Sequence, residues 1–422
     1  MGTYLIVGVN SDESITRCKG KPVTSEAERL ATVRGCKWVD EVVTDVPYVM
    51  NDAYLHEIIE KYNLDYIVHG DDPCIVDGKD VYESAQKLGK YRTIPRTEGV
   101  STTDIVGRIL DHFHSTSRTA DGGNASSDTN SDSVVECDRR LYHKKSNFLV
   151  TSRMLRLFSE HVRAPGAGRR VVYVAGSWDM FHAGHLRVLE ACRARGDYLV
   201  VGVYGDAVAA QLFEMELQQH RDRQQQHATS SSAATTLDTP TSPEDDDDDD
   251  AETDGIASCV HGSLACCGHF PVLSMCERAL SVLGCRWADD VVLDAPYSLS
   301  DDFLSALKVD VVVEVQGEGE GLQGSRHSQT GPDPYSAAKR RGLHHVLPST
   351  GTGIETGAGG AATSSSVSVS AVSMVQRIRR DQAAFSAKIS RKRVQEEEYY
   401  AARYSSSSSS SSSTSGTNSS TS

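Results

Sequence analysis

Two histidines three residues apart, His182 and His185 in Phe181-His-Ala-Gly-His185, are the side chains best placed to do chemistry. An apolar strand, Val171 to Val174, and a Gly-containing turn, Ala175 to Asp179, precede them, and a helix starts at them. Gly184 removes a side chain where backbone must come close to something. Two imidazoles at a helix N-terminus suit an anion: backbone N–H groups and the positive helix end favour phosphate, and the rings can donate to its oxygens. This place is also the usual ligand edge of an open α/β sheet, beyond the strand carboxyl ends. The plain alternative is a pair of structural histidines, which the strand-turn-helix context disfavours. A zinc pair lacks an evident third ligand.

A second phosphate-type constellation is Arg96-Thr-Glu-Gly-Val-Ser-Thr-Thr103. Ser101 and Asp104 there form a capping box, with Thr102 as the other candidate cap. Capping does not account for Arg96 or Gly99. A cationic arginine, a flexible glycine and hydroxyls at a helix N-terminus together suit a polyphosphate. Further candidates are His69-Gly70-Asp71-Asp72, which ends a buried strand, and Lys19-Gly20 in a loop. A lone loop lysine reads equally well as a solvated surface residue.

The elements that position these groups come from comparing the chain with itself. Tyr4-Leu-Ile-Val-Gly-Val9 recurs as Tyr198-Leu-Val-Val-Gly-Val203. The block Gly35 to Tyr48 recurs as Gly284 to Tyr297, Leu64 to Gly70 as Val309 to Val315, and Asp80 to Thr97 as Asp333 to Thr350. Ile105 to Ile109 recurs as Met374 to Ile378, so the order is the same in both halves. A repeat of this kind means two copies of one domain. In each copy short β-rich runs alternate with helical stretches, which predicts an α/β fold: two Rossmann-like domains, parallel sheets with helices on both faces. Ser25 and Glu28 predict a capping box on an early helix.

The expected layout is a first domain over 1–115, a linker over 116–167, a second domain over 168–382, and a tail over 383–422. The spacing of matched blocks predicts a disordered insertion at about 212–268, rich in Gln, Ser, Thr and Asp. Disorder is also expected around 117–133, after Thr350 and in the poly-Ser tail from Ser405; the segment before that tail predicts a charged, exposed helix. The copies differ at one point. The second has a strand, a Gly turn and the paired histidines ahead of its Tyr198 strand, whereas the first begins with the equivalent strand. The expectation is a chain whose first copy lacks that N-terminal head.

The sequence has 422 residues and a net charge of -15, which disfavours a nucleic-acid partner. Much of that charge sits in one acidic run, Asp245 to Asp250. Ten scattered cysteines without a secretory signal predict free thiols in a reducing compartment. A Cys/His cluster from Cys259 to His269 holds potential zinc ligands at a spacing that fits no standard module. No apolar run reaches the ~20 residues of a membrane span. The expected place is the cytoplasm, peripheral to membranes at most, with the endoplasmic reticulum surface as the candidate membrane.

Gly176-Ser-Trp-Asp-Met-Phe-His-Ala-Gly-His185 resembles the G-x-F-D-x-x-H-x-G-H signature of nucleotidyltransferases. Arg96 to Thr103 resembles the R-T-x-G-x-S-T-T signature of cytidylyltransferases. The tandem arrangement is similar to members of that family acting on phosphoethanolamine. The resemblance implies transfer of CMP from CTP to phosphoethanolamine, giving CDP-ethanolamine and pyrophosphate for phosphatidylethanolamine biosynthesis. It implies catalytic roles for His182, His185 and Lys19. It implies CTP contacts from Gly176, Ser177, Trp178, Asp179, Gly184, His69, Gly70, Asp71, Asp72, Arg96, Thr97, Gly99, Ser101, Thr102 and Thr103, with Mg²⁺ accompanying CTP and no dedicated metal ligands. The departures are that the first copy has no H-x-G-H, the second has Glu314 in place of His69 and no paired threonines near Ser370, and the family phenylalanine is Trp178. Two alternatives stay open: an inactive or regulatory nucleotide-binding relative, and an enzyme for another phospho-alcohol such as phosphocholine.

Overall fold

The computed structural model describes residues 2–71, 74–76, 79–95, 101–120, 158–159, 165–166, 168–232, 271–315, 333–347 and 369–408. The first copy holds β1 (Ile6–Gly8), α1 (Asp12–Lys19), α2 (Glu26–Arg34), β2 (Glu41–Val43), α3 (Asp52–Tyr62), β3 (Ile67–Gly70), β4 (Ile75–Val76), β5 (Lys79–Asp80), α4 (Glu83–Lys87), β6 (Tyr91–Ile94) and α5 (Thr102–Ala120). The second holds β7 (Val171–Gly176), α6 (Ala183–Arg193), β8 (Tyr198–Val203), α7 (Asp206–Ser232), α8 (Met275–Leu283), β9 (Asp290–Leu293), α9 (Asp301–Ala306), β10 (Val311–Val315), α10 (Ser336–Arg340), β11 (His344–Leu347) and α11 (Ala371–Arg380). A last helix, α12 (Gln382–Ser408), follows.

The chain divides into two compact units whose limits cut across the first copy. The larger takes in residues 1–7, 27–42 and 99–380; the smaller takes in 8–26, 43–98 and 381–422.

In the larger unit the sheet order is β11-β10-β7-β8-β9, and every pairing is parallel. The continuous apolar runs VVYVAG and YLVVGV are buried at every position, as strands covered by helices on both faces must be. Alternation sends Val172, Val174, Leu199 and Val201 to one core with Leu186 and Val282, and Val171, Tyr173, Tyr198 and Val200 to the other with Leu304 and Ala338. The chain leaves β7 toward β8 and β9, then returns to the other side of β7 as β10. The strand order therefore reverses at the carboxyl ends of β7 and β10, where such sheets bind ligands.

The first copy forms separate two-stranded sheets rather than one: β1 with β2, β3 with β6 in parallel, and β4 with β5 antiparallel. The second copy's equivalents of the first two, β8–β9 and β10–β11, stand on either side of β7; among the described residues the first copy shows no strand in that position. Side chains that β7 covers in one copy are bare in the other. Leu5 is 46% exposed against 0% for its equivalent Leu199, and Val68 is 43% exposed against 1% for Val313. A small core of Leu55, Ile67 and Ala85 anchors the smaller unit.

Corresponding segments of the two copies meet inside the larger unit about a local twofold. Arg108 of α5 makes a bidentate pair with Glu277 of α8, at 3.2 and 3.0 Å. Its equivalent Arg377 of α11 makes the same pair with Glu28 of α2, the equivalent of Glu277, at 2.9 and 2.8 Å. Glu277 also closes a capping box with Ser274, the counterpart of the box expected at Ser25 and Glu28. At the axis itself Gly35 lies so close to Leu186 that an added Cβ would sit 2.4 Å from Cδ2.

Four expectations need correcting, one of them the disordered tail from Ser405, because α12 runs on to Ser408. Residues 212–232, placed in a disordered insertion, are the continuation of α7, and residues 117–120 belong to α5. The helix before the Ser-rich tail is present, but it is not wholly exposed: Phe385 is buried, because one apolar residue per turn suffices to seat a charged helix. The expected Cys259–His269 cluster lies outside the described residues.

Each crossed pair has little water to fall back on, so removing one partner strands a buried charge. Arg108→Met is expected to lower the stability of the larger unit by about 2 kcal/mol or more, and the double change Arg108→Met with Glu277→Leu to recover most of it. Urea unfolding of the three proteins reads this; additive losses would mean the pair is not coupled.

Candidate functional site

The paired histidines sit where β7 ends and α6 begins. The turn between them, Ser177 to Phe181, carries positive φ at Trp178 (55°) and Met180 (46°), an uncommon backbone for non-glycine residues. Three buried contacts hold it. The Trp178 indole, wholly buried, donates to the Gly202 carbonyl at 2.8 Å. Asp179 accepts from the backbone N–H groups of Met180 at 3.0 Å, Val272 at 2.8 Å and Leu273 at 3.0 Å. Arg278, fully buried, donates to the carbonyls of Ser177, Tyr204 (2.8 Å) and Leu273 (3.1 Å), and to Asp206 (2.8 Å). Burial raises the Asp179 carboxyl above its ordinary range, against the lowering pull of the Leu273 and Val272 N–H groups and the Arg278 guanidinium.

His182 is the N-cap of α6. Its Nδ1 accepts from the Gly184 N–H at 3.1 Å, and its own backbone N–H donates to His185 Nδ1 at 3.4 Å. The two rings stack at 3.8 Å, and His185 also packs against Trp178 and Phe181. An imidazole whose Nδ1 accepts carries its proton on Nε2. Burial, then His185, Arg187 and Arg377, push the His182 pKa well below the ordinary histidine value, so the ring is neutral near pH 7. Its Nε2 is buried without a hydrogen-bond partner in the protein, which leaves an N–H donor for a ligand oxygen. Gly184 is required here: a Cβ would stand 2.9 and 3.0 Å from the His182 ring and 3.2 Å from the Val369 carbonyl. That last contact seats the start of α11 beside the histidines.

The rest of this pocket differs from a phosphate site. At the end of β10 the Glu314 carboxylate is buried and bonded to His344 Nε2 at 2.7 Å. Ala371 and Val372 occupy the positions of Thr102 and Thr103, both buried, and Ser370 and Ser373 cap each other.

The first copy keeps the complementary set. Ser101 and Asp104 form the expected capping box, with Asp104 N–H donating to Ser101 Oγ at 3.1 Å and Ser101 N–H donating to Asp104 at 3.0 Å. Thr102 and Thr103 open α5, in the larger unit. In the smaller unit His69 ends β3, bonds the Gly70 carbonyl at 3.0 Å and packs on Tyr82 at 4.5 Å, which stacks on Tyr91. Asp71 follows, its N–H donating to the Ile94 carbonyl at 3.0 Å. Asp72, Arg96, Thr97 and Gly99 lie outside the described residues.

Lys19 is the last residue of α1, before Gly20 at φ 84°, with its ammonium over the Tyr48 ring at 5.8 Å. Sequence reasoning missed its neighbours. Lys388 of α12 donates to the Lys21 carbonyl at 3.0 Å, and Arg391 approaches Gly20. Burial and then Lys19, Arg391 and Lys392 push Lys388 down to about 8. Nothing in the local pattern of a charged helix far along the chain marks these two residues. Arg278 was missed too, since a buried arginine looks like any other helix arginine in sequence.

The cytidylyltransferase-like family matches residues 1–108 and 173–264. The ethanolamine-phosphate cytidylyltransferase of Arabidopsis thaliana is 33% identical over 360 residues, covering 83% of this chain and 71% of the relative. Those of Dictyostelium discoideum (35%, covering 83% and 80%) and Mus musculus (32%, covering 83% and 76%) match similarly. The chain belongs to the ethanolamine-phosphate cytidylyltransferase family, a branch of the cytidylyltransferase-like proteins.

A depressed His182 pKa has a defined consequence. Below the ordinary histidine value near 6.5 the unfolded chain binds a proton that the fold rejects. Stability is therefore full above about pH 6.5 and falls as the pH drops below it. Thermal unfolding from pH 8 to 5.5 is expected to show that loss, and His182→Asn, which keeps a cap acceptor, to reduce the slope. An identical slope in the variant would remove His182 as its source.

Proposed function

We propose that the chain transfers CMP from CTP to phosphoethanolamine, giving CDP-ethanolamine and pyrophosphate. Similarity over 83% of the chain to relatives of that name supports the reaction. The structural observation that carries it is the buried His182 Nε2, without a protein partner, at a helix N-terminus. A phosphate oxygen of phosphoethanolamine attacks the α-phosphorus of CTP in line, and pyrophosphate leaves. The protein forms no covalent bond; it positions and stabilises charge. Neutral His182 donates to a phosphate oxygen through Nε2, His185 supports the same phosphate group, and Lys19 neutralises phosphate charge in its own unit. Ser101, Thr102 and Thr103, with Arg96, Thr97 and Gly99, are assigned to CTP, as are His69 to Asp72 and the turn Gly176 to Asp179. Mg²⁺ is assigned to the CTP phosphates, where it would neutralise their charge.

No helix among the described residues is long and apolar enough to cross a membrane. We assign the chain to the cytoplasm, with peripheral contact at the endoplasmic reticulum surface.

A second reading, nucleotide binding without turnover, is favoured by Glu314 bonded to His344 and by Ala371 and Val372 in place of the threonines. Two measurements separate the readings. Pyrophosphate release is followed with CTP and either phosphoethanolamine or phosphocholine, and CTP binding is followed by calorimetry. Release with phosphoethanolamine, lost by 100-fold or more in Lys19→Ala, is the expected result, of the order a charge-stabilising group supplies. Binding without release favours the second reading, and neither signal overturns both.

A further inference from the structure

The local twofold brings one residue face to face with its own repeat counterpart. Cys36 and Cys285 hold the same position in the matched blocks Gly35-Cys-Lys-Trp38 and Gly284-Cys-Arg-Trp287. They are joined as an isolated antiparallel bridge inside the larger unit. The Lys37 N–H donates to the Gly284 carbonyl at 2.9 Å, and the Arg286 N–H donates to the Gly35 carbonyl at 2.9 Å. The bonds thus flank the two cysteines. That makes them a non-hydrogen-bonded antiparallel pair, in which Cα atoms stand about 4.5 Å apart and both side chains leave the same face. Disulfides span Cα separations of about 4.4 to 6.8 Å. Both thiols are free.

We propose that Cys36 and Cys285 are a modification site that forms a reversible disulfide across the repeat axis. The co-reactant is a small-molecule disulfide of the glutathione type. Cys36, half-buried, is the thiol that solvent reaches, whereas Cys285 is 1% exposed. The Lys37 ammonium lies within electrostatic reach of both sulfurs, and Arg286 acts on Cys285. Burial raises the Cys285 thiol to about 11, which leaves Cys36 as the attacking group and Cys285 as the resolving one. The Cys36 thiolate attacks one sulfur of the small disulfide, forming a mixed disulfide and releasing one small thiolate, which takes up a proton. The Cys285 sulfur then attacks Cys36 Sγ, breaks the mixed S–S bond and releases the second small thiol with the Cys285 proton. Two protein thiols are oxidised and one small disulfide becomes two small thiols.

The full chain, incubated with oxidised glutathione, alkylated and digested with trypsin without reduction, tests this. The expected product is a cross-linked pair, Gly35–Lys37 with Ala279–Arg286, that separates on adding dithiothreitol. Intact mass should show two fewer alkylated thiols of the ten present. Cys36→Ser is expected to abolish that product without routing Cys285 to another partner. The proposal is overturned if both peptides are recovered alkylated or capped by glutathione, or if either cysteine is found bridged elsewhere. The measurement on the unaltered chain decides the case whether or not the variant folds.

Discussion

The crossed arginine–glutamate pairs are the constraint on which the larger unit depends. Arg108 must reach Glu277 of the other copy, and Arg377 must reach Glu28, each through two hydrogen bonds. A half-buried guanidinium bonded to a buried carboxylate tolerates only one geometry, because a slip leaves charge without water or partner. The two pairs fix the last helix of each copy against the Glu-bearing helix of the other, α5 against α8 and α11 against α2. They also bring Gly35 and Gly284 together, so the cysteines between them and their tryptophans meet at the axis. Four repeated residues, each unremarkable alone, become one assembly because the repeats face each other.

The same economy governs the phosphate-type site. The His182 ring is neutral because burial disfavours its charged form, and its tautomer is set by a helix cap. One hydrogen bond from Gly184 therefore decides which nitrogen keeps a proton for a ligand. Arg278 and Asp179 hold the strained turn from beneath, joining it to the segment before α8. The two copies have diverged around this frame in complementary directions. The second keeps the histidine turn but fills the opposite strand end with a Glu314–His344 pair, while the first keeps His69 and the threonines.

The edges of β1 and β3 show how strongly a neighbouring strand matters. The same apolar residues that vanish in the second copy stand open in the first, since a parallel strand is covered only when a neighbour pairs with it. For residues such as Leu5 and Val68, sequence pattern states a wish to be buried, and only the sheet grants it.

The sequence by itself determined the repeat, the α/β class, the strand-turn-helix at His182 and the capping box at Ser101, because these rest on local periodicity and short spacing. It misjudged 212–232, where a polar composition hid a continuing helix. Tertiary structure alone decided that Arg278 supports the turn, that Lys388 and Arg391 crowd the end of α1 at Lys19 and Gly20 rather than a loop, and that Cys36 faces Cys285. Each of these is a contact between residues far apart in the chain, and no local pattern records which distant charge or thiol will arrive. The arrival is set by how elements pack, and packing is a property of the folded whole.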